Sequence, residues 1–265
     1  MNIKKVWTIS FSPTGTSKTI VDTIASEFVD AERHELDLTN PDTVEKKTFA
    51  SDELVVIGVP VYAGRVAPLA VRRLRALQGS QTPAVLVVLY GNREYEDALI
   101  ELRDIAVSAS LLPVAAAAFI GEHSFSNAEQ PIAAGRPDND DLNLARSFRK
   151  KIADKISKLQ SPADFEALSV PGNIPYKEGG QPIPITPKVD QEICTLCGLC
   201  ISSCPNGAII IDDELHMDVE RCIFCCSCIK TCPENAVSID APPLLEKRQW
   251  LYENCAERKE PEMYL

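Results

Sequence analysis

Val6-Trp7-Thr8-Ile9-Ser10-Phe11-Ser12-Pro13-Thr14-Gly15-Thr16-Ser17-Lys18-Thr19-Ile20-Val21 decides the reading of the first half of the chain. A short apolar run enters a loop with one glycine and four hydroxyls, at 12, 14, 16 and 17. Ile20, Val21, Ile24, Ala25 and Phe28 then fall at helical spacing, so the stretch reads as strand, tight loop and amphipathic helix. Such a loop turns N–H groups, O–H groups and the positive helix end toward one phosphate. It is not a Walker A loop, because Ser10 stands where the first glycine should be, and no G-x-G-x-x-G is present. A plain Ser/Thr helix cap is the simpler competing reading.

Working outward, continuous aliphatic runs at 54–59 and 84–89 read as strands covered on both faces. A shorter strand is expected near 35–38, and the Ala-rich run 114–120 is placed as strand by its position in the alternation. Helical patterns occupy 67–77, 95–109 and 142–156. Five strands alternating with four helices imply an α/β fold with a doubly wound parallel sheet. In such sheets the ligand lies beyond the carboxyl ends of the strands near the switch point. Two segments there pair glycine, which lets backbone approach a flat ring, with aromatics that could stack on it: Pro60, Val61, Tyr62, Ala63 and Gly64, and Tyr90, Gly91, Asn92, Arg93 and Tyr95. Strand-end packing is the competing role for these tyrosines. Residues 121–139 form a long loop after the fifth strand, suited to edging the ligand or docking the second unit, with His123 as a proton-donor candidate.

The texture changes at residue 161. Six prolines and three glycines between 161 and 188 read as an extended linker joining a first unit, 1–160, to a second. Nine of the chain's 10 cysteines then fall between 194 and 232. Two segments superimpose at an offset of 28, each C-x2-C-x2-C-x3-C-P: Cys194, Cys197, Cys200, Cys204-Pro205, and Cys222, Cys225, Cys228, Cys232-Pro233. This is the bacterial spacing for a [4Fe–4S] cubane, in which the fourth cysteine of each run ligates the other cluster. The expected ligand sets are therefore Cys194, Cys197, Cys200 and Cys232, and Cys222, Cys225, Cys228 and Cys204. Zinc ribbons use two CxxC pairs instead. Cys226 stands where the first repeat has Gly198 and reads as a buried filler; Cys255 reads as a free thiol in a charged tail, 243–265.

Residues 189–242 resemble bacterial 2[4Fe–4S] ferredoxins, and residues 1–160 resemble a flavodoxin domain. The whole chain is similar to the flavodoxin–ferredoxin fusion family, which carries FMN and two [4Fe–4S] clusters. By that resemblance Ser12, Thr14, Gly15, Thr16 and Ser17 would hold the FMN phosphate. Residues 60–64 and 90–93, with Tyr95, would flank the isoalloxazine. Arg65 and Arg93 depart from the family pattern, in which acidic groups often stand near the ring; a nearby cation would argue against a very low flavin potential.

Charge is uneven. Residues 1–160 hold 19 Lys+Arg against 21 Asp+Glu, whereas residues 161–265 hold 8 against 17. That balance argues against nucleic acid and for a protein redox partner with a basic docking surface. No apolar run is long enough to span a bilayer and no export signal opens the chain, so a cytoplasmic protein is expected, in a compartment that keeps thiols reduced. Two functions follow from the resemblance: electron transfer between FMN, the clusters and a protein partner, or an FMN-dependent reductase of a small molecule (a quinone, nitro or unsaturated compound) fed through the clusters.

Overall fold

The structure, a computed structural model, describes residues 2–26, 28, 31–40, 45–159, 161, 164–180 and 184–265. The first unit contains β1 (Lys5–Ser10), α1 (Thr16–Ala25), β2 (Glu32–Asp37), β3 (Lys47–Phe49), β4 (Glu53–Tyr62), β5 (Arg65–Val66), α2 (Pro68–Leu74), β6 (Leu77–Gly79), β7 (Thr82–Tyr90), α3 (Ala98–Ser108), β8 (Leu111–Ile120) and α4 (Asn139–Lys158). The second contains β9 (Lys188–Val189), α5 (Leu199–Ser203), β10 (Ile209–Ile211), β11 (Leu215–Met217), α6 (Ser227–Thr231) and β12 (Val237–Ser238), followed by α7 (Pro242–Asn254) and β13 (Glu262–Tyr264).

Five strands run parallel in the order β2-β1-β4-β7-β8. Numbered among themselves they read 2-1-3-4-5, the flavodoxin-like order of the doubly wound fold, whose switch point lies between β1 and β4. The sheet's two faces explain the sequence of its central strands. Val55, Ile57, Leu86 and Val88 pack with α2 and α3, whereas Leu54, Val56, Val85 and Val87 pack with α1 and α4. Every residue of β7 is buried, and each such aliphatic side chain contributes about 2 kcal/mol through burial. Residues 115–118, all alanine, are fully buried within β8, their helix propensity overridden by pairing with β7.

The structure extends the expected five-stranded sheet. β13 adds to the β8 edge in antiparallel register, Met263 opposite Ala117, so residues 243–265 are not only a charged tail but a helix and a strand of the first unit's own sheet. This covers an edge that would otherwise offer unpaired backbone. The linker is likewise packed rather than free in its described part. Leu168 and Val170 are buried. The Asp97 carboxylate accepts from Asn173 N (2.8 Å), Asn173 Nδ2 (3.0 Å) and Lys177 N (2.7 Å). Pro162 and Pro182 of that segment lie outside the described residues.

The second unit folds as the repeat dictates. Helices α5 and α6 begin 28 residues apart. Left-handed backbone recurs at the same offset, in Leu196 and Phe224, Gly198 and Cys226, and Gly207 and Asn235.

Candidate functional site

The hydroxyl loop leaves β1 at Ser10, which is level with Gly58 of β4. Gly15 N donates to Ser12 O (3.0 Å), and Gly15 takes φ +85, a conformation few other residues adopt, so the turn delivers the chain directly into α1. Ser12 serves the loop itself: its hydroxyl accepts from Lys18 N (3.0 Å) and its amide donates to Thr39 Oγ1 (2.7 Å). Thr14 and Gly15 are exposed, and Thr16 packs beside Gly121 at the end of β8. Thr16 and Ser17 open the first turn of α1, where amides have no intrahelical acceptor. Ser17 Oγ is buried with no hydrogen-bond partner among the described residues. A buried orphan hydroxyl is costly unless something supplies its bond, so this loop fits an anionic group at the helix start.

Residues 60–64 form a hairpin rather than an open loop. Val61 pairs with Val66 and Tyr62 with Arg65 across a two-residue turn, Ala63 and Gly64, both at positive φ. The sequence pattern missed β5 because two residues carry no periodicity. Pro60, at the strand end, accepts Ala67 N (3.1 Å) on its carbonyl. Tyr62 packs against the core together with Ile223 of the second unit. Burial first, then the nearby Cys225 and Cys226 sulfurs, hold its phenol well above the usual value.

The second segment expected to flank a ring, Tyr90 to Tyr95, packs with the C-terminal segment. Tyr90 and Tyr95 are buried with ring centroids 5.4 Å apart. The Tyr95 hydroxyl donates to Glu262 Oε2 (2.8 Å) and lies 2.9 Å from the Tyr264 hydroxyl. Asn92 Nδ2 donates to the carbonyls of Cys255 (2.7 Å) and Glu257 (2.8 Å), while its Oδ1 is buried without a partner among the described residues. Tyr90 lies under Lys259. These side chains anchor the C-terminal segment. Gly91 keeps a close-approach role: a Cβ there would meet His123 Cδ2 at 2.3 Å, so the imidazole lies on its backbone. The two arginines are neutralised. Arg65 makes a two-pronged pair with Glu101 (2.8 and 2.7 Å) and Arg93 one with Glu96 (3.1 and 2.9 Å), which offsets the cationic influence expected of them.

Residues 121–126, the start of the 121–139 loop expected to edge the ligand or dock the second unit, contact the second unit. Lys230 of α6 donates to Glu122 (2.6 Å) and to the Ser126 carbonyl (2.8 Å), and Phe125 meets Phe224 edge-on at 5.7 Å. His123 Nδ1 accepts from Phe125 N (3.0 Å). Burial, then the charges of Lys247, Arg93 and Lys230, push its pKa down to about 4, so the ring is neutral at pH 7 with its proton on Nε2.

The cysteines separate by place. Cys194, Cys197 and Cys200 line a hollow together with Cys232 from the other repeat, closed by Leu215 and Val237. Cys222, Cys225 and Cys228 form the second group, with Cys204 close enough to act on all three. The two fourth cysteines have equivalent surroundings: Cys204 Sγ accepts from Ala208 N (3.2 Å) and Cys232 Sγ from Ala236 N (3.3 Å). Such N–H···S bonds tune cluster potentials. Cys226 is 1% exposed with φ +61, consistent with a filler, and Cys255 is a free thiol buried against Ile132 and Leu251.

The second cysteine loop sits on the hydroxyl loop. Ser227 Oγ donates to Pro13 O (2.7 Å). Arg73 of α2, only 6% exposed, donates to the carbonyls of Leu38 (2.5 Å), Thr39 (2.7 Å) and Pro205, the residue after Cys204. Sequence reading missed Arg73, because nothing in a helical arginine signals three backbone acceptors.

Residues 186–256 match the family model described as a 4Fe-4S dicluster domain. No curated protein matches the chain significantly. Among solved structures, the chain is similar to oxidised flavodoxin 1 from Bacillus cereus (12% identity, 59% of this chain and 100% of that one, TM-score 0.40). It is also similar to a Fusobacterium nucleatum flavodoxin variant bound to flavin mononucleotide (17%, 59% and 95%, TM-score 0.35). A third is the rubredoxin oxygen:oxidoreductase of Desulfovibrio gigas (10%, 60% and 37%, TM-score 0.36). Among the described residues no helix is long and apolar enough to cross a membrane. The chain is an α/β unit with the flavodoxin-like strand order joined to a segment that matches a 4Fe-4S dicluster domain.

Proposed function

We propose that the chain holds FMN at the β1–α1 loop and two [4Fe–4S] clusters with crossed ligands, and passes electrons between them and a protein partner. The observation that carries this reading is the contact of the second cysteine loop with the hydroxyl loop, Ser227 Oγ to Pro13 O at 2.7 Å. It brings the Cys222, Cys225, Cys228 and Cys204 group to the end of the sheet where this fold takes its ligand.

Ser17, Thr16 and the start of α1 would hold the phosphate; the orphaned Ser17 hydroxyl and the orphaned Asn92 Oδ1 both lie on segments expected to face FMN. The hairpin carrying Pro60 to Gly64 and the backbone of Gly91 would edge the ring. When bound, FMN supplies a centre able to exchange one or two electrons, and each cubane exchanges one. The chain's own contribution is to hold these sites at fixed separation through Ser227, Lys230, Phe224 and Arg73, and to keep water from the junction with Ile223 and Tyr62. The expected small-molecule reductase needs an open space beside the ring, whereas residues 121–126, the start of the 121–139 loop, are engaged by Lys230 and Phe224.

The reading is tested by the cofactor content of anaerobically purified chain. About eight irons and one FMN per chain are expected. Cys232→Ala and Cys204→Ala should each disturb a different cluster's spectrum. Zinc without iron, or iron without flavin, would overturn it.

A further inference from the structure

The repeat presents the same face twice, and only one copy of that face is covered. At the offset of 28, Leu196 corresponds to Phe224 and Leu199 to Ser227. Phe224 packs on Phe125 and Ser227 bonds to Pro13, so in the second repeat this face is the contact with the flavodoxin-like unit. In the first repeat the equivalent residues are turned to solvent: Leu196 is 39% and Leu199 46% exposed, with Ile193 at 47% and Ile201 at 39% beside them. Cys197, inside this rim, is itself exposed. Scattered single apolar residues on a surface are ordinary, but four within nine positions around a thiol group form a patch. Its border is acidic. Asp190, Glu192 and Glu234 are exposed, and Glu234 also edges the hollow of the first quartet. The neighbouring Lys188 is already paired with Asp240 (3.5 Å).

We propose that the first quartet, Cys194, Cys197, Cys200 and Cys232, is the outward terminal of the relay, and that the rim of Ile193, Leu196, Leu199 and Ile201 docks a basic redox protein. This rests on the electron-transfer reading above. The docked second repeat shows how such a face seats a neighbouring redox unit. The acidic border selects positive charge around the partner's exposed cofactor edge, and it opposes a second copy of this chain, which would bring the same acidic groups to the contact. The step at the port is a single-electron exchange: the reduced cluster loses one electron, the partner's centre gains it, and no bond or proton changes.

Cytochrome c, a basic haem protein, serves as the probe. Dithionite-reduced holo-protein, freed of excess reductant, is mixed with ferric cytochrome c; binding is read separately with the redox-inert zinc-porphyrin form. The double change Leu196→Asn with Leu199→Ser, the second copying the residue of the docked repeat, should weaken binding and lower the bimolecular rate by about tenfold. Glu192→Gln with Glu234→Gln should flatten the salt dependence. Val107→Ser, at a 56% exposed apolar site on α3, should change neither. Equal losses in Val107→Ser, no loss in the rim variant, absence of binding by the wild type, or a rim occupied by a dimer would each overturn the port. Intrachain exchange, followed after a sub-stoichiometric electron pulse without cytochrome c, separates the two claims. Its absence sinks the relay itself, whereas normal exchange with an indifferent rim sinks only the port.

Discussion

Arg73 shows how one side chain sets the relation between the two halves. A guanidinium has fixed, planar donors, and here they reach two carbonyls of the β2 exit and one beside Cys204. Truncation to alanine leaves those buried acceptors without their charged donor, so Arg73→Ala should lower the unfolding free energy by about 2–4 kcal/mol. Denaturation of the anaerobic holo-protein checks this. Arg73→Lys should recover only part of the loss, because an ammonium cannot reproduce the fork. His123 gives a pH signature at the same scale. Its folded pKa of about 4 lies below the ordinary value near 6.5. As pH falls from 6.5 toward 4 the unfolded chain takes up a proton that the folded chain refuses, so stability drops through that window and is unaffected above it. Urea midpoints between pH 7 and 5 should decline more for the wild type than for His123→Asn.

At the scale of elements, β13 is a strand of three residues with a large structural role. It pairs with β8, while Glu262 and Tyr264 meet the Tyr95 hydroxyl and Arg136 donates to Lys259 O (2.6 Å). Deleting residues 256–265 should destabilise the chain by about 3 kcal/mol and expose the β8 edge to association, read by denaturation and light scattering. The parallel strands, their helices and the two cysteine runs were legible because they carry unbroken apolar runs, period or spacing: 54–59 and 84–89 are apolar throughout, α1 repeats at helical spacing, and the cysteines repeat at 28. The C-terminal strand was not, since Glu262-Met263-Tyr264 holds too few residues for a period and forms only by pairing with a strand over 140 positions away. For the same reason the contacts of Tyr90 and Tyr95 with Lys259, Glu262 and Tyr264 were hidden, because those partners lie more than 160 positions away. The tight turn of the hydroxyl loop into α1, with Gly15 at positive φ, was legible because it is local. The pairing of Arg65 with Glu101 was hidden, because the two lie on different elements.

For the molecule as a whole, a linker rich in proline need not mean two units tumbling on a tether. Asp97 holds its described part along α3, Arg73 and Ser227 fix the cysteine loops, and α7 with β13 returns the chain to the first sheet. The second unit is therefore clamped from both of its ends, and under the proposed function electron exchange between the units would need no docking step. The most direct measurement injects less than one electron per chain into anaerobic holo-protein by pulse radiolysis and follows the flavin and iron–sulfur absorption bands. The expected result is that the two bands relax in opposite directions with one common rate, independent of protein concentration. Bands that stay fixed, or a rate that rises in proportion to concentration, would contradict electron exchange within the single chain.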